Sequence, residues 1–152
     1  MQFISAVDHL VFACSDLTSG IEHVADLFGV MPTQGGRHPS WGTHNAILSL
    51  GESTYFEIIA PDPDAIEGFH RPVVFTGSGS GSLTTWAAGL DDLSSKHARA
   101  ASLGHHFGDV LEGSRVTETG VRLEWSLTNP MTCLMGGVVP FLIDWGSSPH
   151  PS

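Results

Sequence analysis

Basic residues are scarce in this chain: 6 Lys and Arg stand against 16 Asp and Glu among 152 residues, a formal net charge of −10. With no basic stripe anywhere, nucleic acid and anionic membrane surfaces are excluded as partners, because both need clustered Lys and Arg. No apolar run approaches the ~20 residues of a membrane span. The opening residues Met1-Gln2-Phe3-Ile4-Ser5 lack the basic region and long apolar stretch of a secretory signal. Cysteine is nearly absent too. Cys14 and Cys133 show no C-x-x-C spacing, so the expectation is a cytoplasmic chain with two reduced thiols. Walker A and Gly-x-Ser-x-Gly motifs are missing. Gly77-Ser78-Gly79-Ser80-Gly81 superficially resembles a dinucleotide loop but has neither the following helix nor the later acid, and reads as linker.

What is present is a compact chain: 41% apolar and only 14% charged, of a length that fits one domain with a core of its own. Residues 7–13 form a β-branched apolar run, read as a strand. Ser15-Asp16 offers an N-cap, Leu17, Ile21, Val24 and Phe28 follow at helical spacing, and Gly29 suits the helix end. Gln34 to Pro39 reads as a loop or irregular strand edge. Residues 45–50 and 54–60 read as two strands joined by a turn at Gly51-Glu52-Ser53. The first unit, about residues 1–75, is therefore β-α-β-β-β.

A Gly/Ser connector over 76–82 leads to a second unit, about 83–152, that repeats the order. Residues 83–90 read as a strand, Asp91-Asp92 as a cap, and Leu93, His97, Ala100 and Leu103 as a helical stripe closed by Gly104. Strands are expected over 106–111, 121–127 and 138–145. The two caps, Asp16 and Asp92, are 76 apart (92 − 16), and Gly29 and Gly104 are 75 apart (104 − 29), so the units recur almost in register. The expected fold class is α+β: two tandem β-α-β-β-β units making one curved mixed sheet around a cup, with helices on the outer face. The cup is the natural ligand site.

Asp8-His9-Leu10-Val11 on the first strand, Asp16-Leu17 opening the helix, Leu27-Phe28-Gly29-Val30 closing it and Glu57 on a later strand resemble the vicinal oxygen chelate superfamily, which includes glyoxalase I, extradiol dioxygenases, methylmalonyl-CoA epimerase and bleomycin- and fosfomycin-resistance proteins. The stretches 35–45, 55–63 and 140–146 resemble its glyoxalase-like domain group more narrowly. The resemblance implies a metal set of one ligand from the first and one from the last strand of each unit. His9 and Glu57 match it. In the second unit, offset 76 brings His9 to Thr85 (9 + 76), and Leu142 or Ile143 is expected at the position matching Glu57; neither can ligate. Asp144 and His150 are candidate substitutes. Homodimers are common in the superfamily, which is the ground for expecting one here.

His9 and Glu57 have two readings. They could ligate Mn²⁺, Fe²⁺, Zn²⁺, Ni²⁺ or Mg²⁺ with positions open for a substrate, or form a metal-free hydrogen-bonded pair. Glu57 could act as a general base if the cup is dry, with His38, His44, Arg37 or Asn45 stabilising the enolate. Arg37 to Asn45 packs Arg37, His38, Trp41, His44 and Asn45 into nine residues around Gly and Pro, as a loop feeding a site would; strand alternation lets only one of His44 and Asn45 face the cup. Trp125 is a candidate wall residue, and Trp86 and Trp145 are core or wall. His105 and His106, on opposite faces of a strand, cannot easily share an ion. His23 and His97 belong to helix surfaces, His70 has no assigned role, and Cys14 reads as a small buried hydrophobe. The function expected is a small-molecule lyase or isomerase centred on His9 and Glu57. The alternative is a protein that sequesters a small organic ligand, and a third reading is a structural dimer partner with its cup plugged by Trp and Phe.

Overall fold

The protein is described by a computed structural model covering residues 6–66, 73–117 and 119–152. The signal-peptide expectation at Met1–Ser5 and the absence of a role for His70 lie outside the described residues. Strand β1 (Ala6–Ala13) leads into helix α1 (Leu17–Phe28), then β2 (Thr33–His38), β3 (Thr43–Gly51) and β4 (Thr54–Pro61). The second unit runs β5 (Ser82–Gly89), helix α2 (Leu93–Ser102), β6 (Val110–Val116), β7 (Arg122–Thr128) and β8 (Phe141–Asp144). Among the described residues, no helix is long and apolar enough to cross a membrane.

The capping chemistry expected at both helix starts is in place. Asp16 accepts from Ser19 N at 2.8 Å, and Asp92 accepts from Ser95 N at 3.4 Å. Gly29 ends α1 at φ 69°, a conformation that costs glycine nothing. α1 lies close on the sheet because Gly20 carries no side chain: a Cβ there would collide with Cys14 Sγ and Ile58 Cγ2. Leu17 and Val24 then bury against Phe12, Phe56 and Ile58, while Phe28 stays half exposed with its ring 5.6 Å from that of Phe56.

All eight strands join one sheet in the order β2-β3-β4-β1-β5-β8-β7-β6. β1 and β5 meet antiparallel at its centre, and each is flanked by the last strand of its own unit in parallel. The order is the same read outward from that centre, which is the tandem β-α-β-β-β plan of an α+β fold. The sheet curls until its two edges nearly meet, where Arg115 Nη1 of β6 donates to Gly35 O of β2 at 2.8 Å. Side chains alternate between faces. On β4, Phe56, Ile58 and Ala60 face α1, and Tyr55, Glu57 and Ile59 face inward. The inner apolar cluster draws Val11, Ala13 and Ile59 from the first unit and Ala87, Leu127, Phe141 and Ile143 from the second.

Of the two readings of Gln34 to Pro39, the irregular strand edge holds: β2 is an edge strand that pairs with β3, with a register shift between Gln34 and Gly36. Two local expectations are corrected. The strand expected over 106–111 begins at Val110 and runs to Val116; His105 and His106 precede it in a loop, and His97 Nε2 holds that loop by donating to Gly108 O at 2.7 Å. The strand expected over 138–145 is only Phe141–Asp144, after short helical turns at Pro130–Thr132 and Leu134–Gly137. The Gly/Ser connector packs across the end of β1, where Gly77 meets the Ala13 carbonyl so closely that no Cβ fits.

Candidate functional site

The cup interior is a cavity of about 50 Å³, room for roughly three to five waters. His9, His38, Asn45, Tyr55, Glu57 and Arg115 supply its polar lining, and Trp41, Phe75, Trp125, Phe141 and Trp145 its aromatic walls. A wider outer chamber of about 220 Å³ shares His38, Trp41, Trp125 and Leu127 with it, so these four stand between the two spaces.

His9 and Glu57 come together because β1 and β4 are parallel neighbours with His9 level with Tyr55 and Val11 level with Glu57. Residues 9, 55 and 57 therefore share the inner face. The His9 ring stacks on Tyr55 with centroids 4.5 Å apart and meets Phe141 edge-on at 5.5 Å. Asp8 joins them through a bulge: Val7 pairs with Ala88 and His9 with Ala87, leaving Asp8 as the extra residue on β1. A bulge turns adjacent side chains toward one side, against simple alternation. Asp8 Oδ1 lies 2.6 Å from His9 Nδ1, and Asp8 Oδ2 accepts from Trp145 Nε1 at 2.9 Å and His150 Nε2 at 3.3 Å. Burial pushes the Asp8 carboxyl up, but hydrogen bonds from His150 and His9, the charge interaction with His9 and the Trp145 bond outweigh it and bring its pKa down to about 2. An ionised carboxylate only accepts, so His9 carries a proton on Nδ1 and directs Nε2 toward Glu57.

Glu57 is buried, with Oε1 accepting from Asn45 Nδ2 at 2.6 Å and Oε2 3.6 Å from His9 Nε2. The second distance is within ion-pair reach but beyond a hydrogen bond, so that oxygen is not tied down as Oε1 is. Burial also pushes the Tyr55 phenol well above its ordinary pKa, helped by the charges of Glu57 and Asp8, so it is a neutral O–H group. His38 is driven toward its neutral form by burial, with its Nδ1 3.1 Å from Thr43 Oγ1. Burial likewise lowers the Arg115 pKa from its ordinary value, against the opposing pull of Tyr55 and Glu57; a guanidinium stays charged regardless.

The remaining sequence candidates divide. His38, Trp41, Asn45 and Trp125 line the cavity. Asn45 rather than His44 is the inward member of its pair. Arg37, His44 and Asp144 do not line it. Arg37 is exposed and paired with Asp62 and Asp64 at 3.1 and 2.6 Å. Asp144 is committed to backbone: its Oδ2 accepts from Leu93 N at 3.1 Å at the start of α2 and its Oδ1 from Gly146 N at 2.8 Å. His150 stands behind His9, on Asp8. Asp8, Tyr55, Phe141 and Arg115 are the lining or supporting residues that sequence reasoning passed over.

The second unit does not repeat the polar pair. Val11 is level with Glu57, and its counterpart Ala87 (11 + 76) is level with Phe141. Phe141, rather than Leu142 or Ile143, therefore occupies the place of Glu57. Thr85 occupies that of His9 and donates to Gly137 O at 3.2 Å. Among the described residues no group of three or more His, Cys, Asp or Glu is placed to hold a metal ion. The cup offers two donors, His9 Nε2 and Glu57 Oε2, where a catalytic zinc takes three protein ligands. That donor set does not fit a resident divalent ion.

Residues 7–152 match the family model described as "Glyoxalase-like domain". The chain belongs to that family, within the vicinal oxygen chelate superfamily. No curated protein sequence matches it significantly. Similar solved structures include a methylmalonyl-CoA epimerase in complex with methylmalonyl-CoA and NH4+, at 20% identity, TM-score 0.63 and coverage of 97% of this chain and 99% of that one. The epimerase from Mycobacterium tuberculosis follows at 18% identity, TM-score 0.60 and coverage of 96% and 91%. A hypothetical protein from Staphylococcus aureus has 18% identity and TM-score 0.65 over 94% of this chain and 60% of that one. At such identities the likeness is one of fold.

Proposed function

We propose that this glyoxalase-like protein is an isomerase or lyase that moves a proton at a carbon next to a carbonyl or carboxyl group, without a metal. The buried chain Asp8–His9–Glu57–Asn45, with His9, Glu57 and Asn45 at the wall of one small cavity and Asp8 behind His9, carries this reading. Glu57 Oε2, the oxygen not held by Asn45, takes the proton from the substrate carbon. The C–H electron pair moves into the adjoining C–C bond and the carbonyl π pair onto oxygen, giving an enolate. His9 Nε2, charged when protonated and backed by the Asp8 carboxylate, is the acid that supplies a proton to the developing oxyanion or to the carbon on its return. An isomerase returns the proton to carbon; a lyase expels a leaving group from the neighbouring carbon instead. The apolar walls exclude water, which strengthens each of these interactions. An isomerase also agrees with the fold shared with proteins named methylmalonyl-CoA epimerase.

The test is C–H to C–D exchange in D₂O, followed by proton NMR, over a panel of small ketones, aldehydes, thioesters and carboxylic acids. The expected outcome is exchange by the wild type with at least one class and a loss of about 10²–10⁴-fold in Glu57→Gln, which keeps an acceptor for Asn45. Exchange that survives Glu57→Gln at the wild-type rate would remove Glu57 from the role of base.

A sequestering protein is the second reading. It is favoured by the largely aromatic second-unit wall, where Phe141 replaces an acid. It predicts tight binding with no exchange in any compound that binds.

A further inference from the structure

Among the described residues Arg115 is the one Lys or Arg that lines the cavity, and it is buried. It lies on the inner face of β6, level with buried Leu123. Among the described residues its single hydrogen bond is the one from Nη1 to Gly35 O. A guanidinium has five N–H donors, so most remain unused. They are not sealed in the protein either: among the described residues no buried side-chain polar atom lacks a partner, which places the unpartnered Arg115 nitrogens against open cavity space. The Tyr55 hydroxyl is in the same position, facing the cavity without a hydrogen-bond partner among the described residues. A buried cation with free donors and a neutral O–H together form the kind of recognition surface that suits a carboxylate, which takes two parallel N–H bonds from one guanidinium.

We propose that Arg115 and the Tyr55 hydroxyl anchor a carboxylate of the substrate, so that the cup selects compact carboxylic acids over neutral carbonyl compounds. This rests on the proton-transfer reading for its catalytic meaning, since the anchor would fix the acid's α-carbon in the chamber that holds Glu57. Size follows from the cavity: about 50 Å³ takes an acid of a few heavy atoms, and any longer substituent must pass His38, Trp41, Trp125 and Leu127 into the outer chamber.

The experiment is NMR titration of the full chain with propionate, pyruvate and lactate beside the uncharged propionamide and lactamide, observing the indole N–H signals of Trp125 and Trp145. Wild type is compared with Arg115→Met, Tyr55→Phe and Glu57→Gln. At least one carboxylate should bind the wild type about tenfold or more tightly than its amide; Arg115→Met should erase that preference, and Tyr55→Phe should weaken the carboxylate about three- to tenfold. Carboxylates binding no better than amides in the wild type would overturn the proposal. So would a preference that survives in Arg115→Met. If Arg115→Met does not fold, because it also closes the β2–β6 seam, the wild-type comparison and Tyr55→Phe decide the matter alone. Glu57→Gln separates the two claims. Carboxylate binding retained in that variant, with no C–H exchange by wild type of the bound acid, leaves the anchor standing and removes the proton-transfer reading.

Discussion

On β1, Val11 lies level with Glu57; on β5, its counterpart Ala87 lies level with Phe141. At the neighbouring inward position the first unit has His9 and the second has Thr85, whose hydroxyl is already spent on Gly137 O. The backbones of the two units run the same course, with the same caps and the same strand order, yet one presents an acid–base pair to the cavity and the other an aromatic wall and a single cation. A duplicated frame needs only its backbone plan to remain closed. The inner face of each half is then free to specialise, because an inward residue changes the cavity without changing the sheet.

The largest expected effect comes from restoring the missing acid. Phe141→Glu removes a buried ring that packs on His9 and Phe75 and replaces it with a carboxylate in an apolar wall. Without metal the variant should lose about 3–5 kcal/mol of stability. It also adds a third donor, a carboxylate oxygen, to His9 Nε2 and Glu57 Oε2, so Mn²⁺ or Zn²⁺ should raise its melting temperature while leaving that of the wild type unmoved. A wild type stabilised by these ions as strongly as the variant would show that two donors suffice and would undo the asymmetry between the units.

Asp8→Asn tests the support behind His9 and has a pH signature. The Asp8 pKa falls from 3.8 to about 2 on folding, so its contribution is fully present above the unfolded value and is lost as pH drops through the folded one. The shift corresponds to about 2 kcal/mol. Urea unfolding should show the wild type ahead of Asp8→Asn by about that amount at pH 5, and the gap should close between about pH 4 and pH 2. A gap that persists at pH 2 would mean that the lost stability comes from packing, not from the ionised carboxylate.

Much of this comparison was legible from residues alone. Caps at Asp16 and Asp92, a helix stop at Gly29 and alternating apolar runs place both helices and most strands, because those signals are local. His9 and Glu57 could be paired because two parallel strands of one unit bring them to a shared face. Asp8 could not. Alternation sends it away from the cup, and only the bulge between Val7 and His9 brings it back. Arg115 was hidden by a strand boundary: with β6 expected over 106–111, residue 115 fell in a gap, and its role depends on the approach of two sheet edges far apart in sequence. Asp144 misled for a related reason. Its carboxylate sits at a strand end, where the start of α2 claims it through backbone N–H groups that no sequence pattern marks.

The smallest effect belongs to the second unit's silent position. Thr85→Val preserves shape and removes one hydroxyl, leaving Gly137 O without its donor. The cost should be about 1 kcal/mol, read as a drop in melting temperature of about 2–4 °C. The exchange rate at the cup should stay within about twofold of wild type, because Thr85 directs its hydroxyl into the chain's own backbone and does not line the cavity. His9→Gln, at the position Thr85 copies, should in contrast lose the proton donor outright and slow exchange by about 10²-fold or more. Equal losses of rate in the two variants would show that both halves of the cup take part in the chemistry. A rate loss confined to His9→Gln, beside a stability loss in Thr85→Val, would show the first unit as the reactive half and the second as its wall.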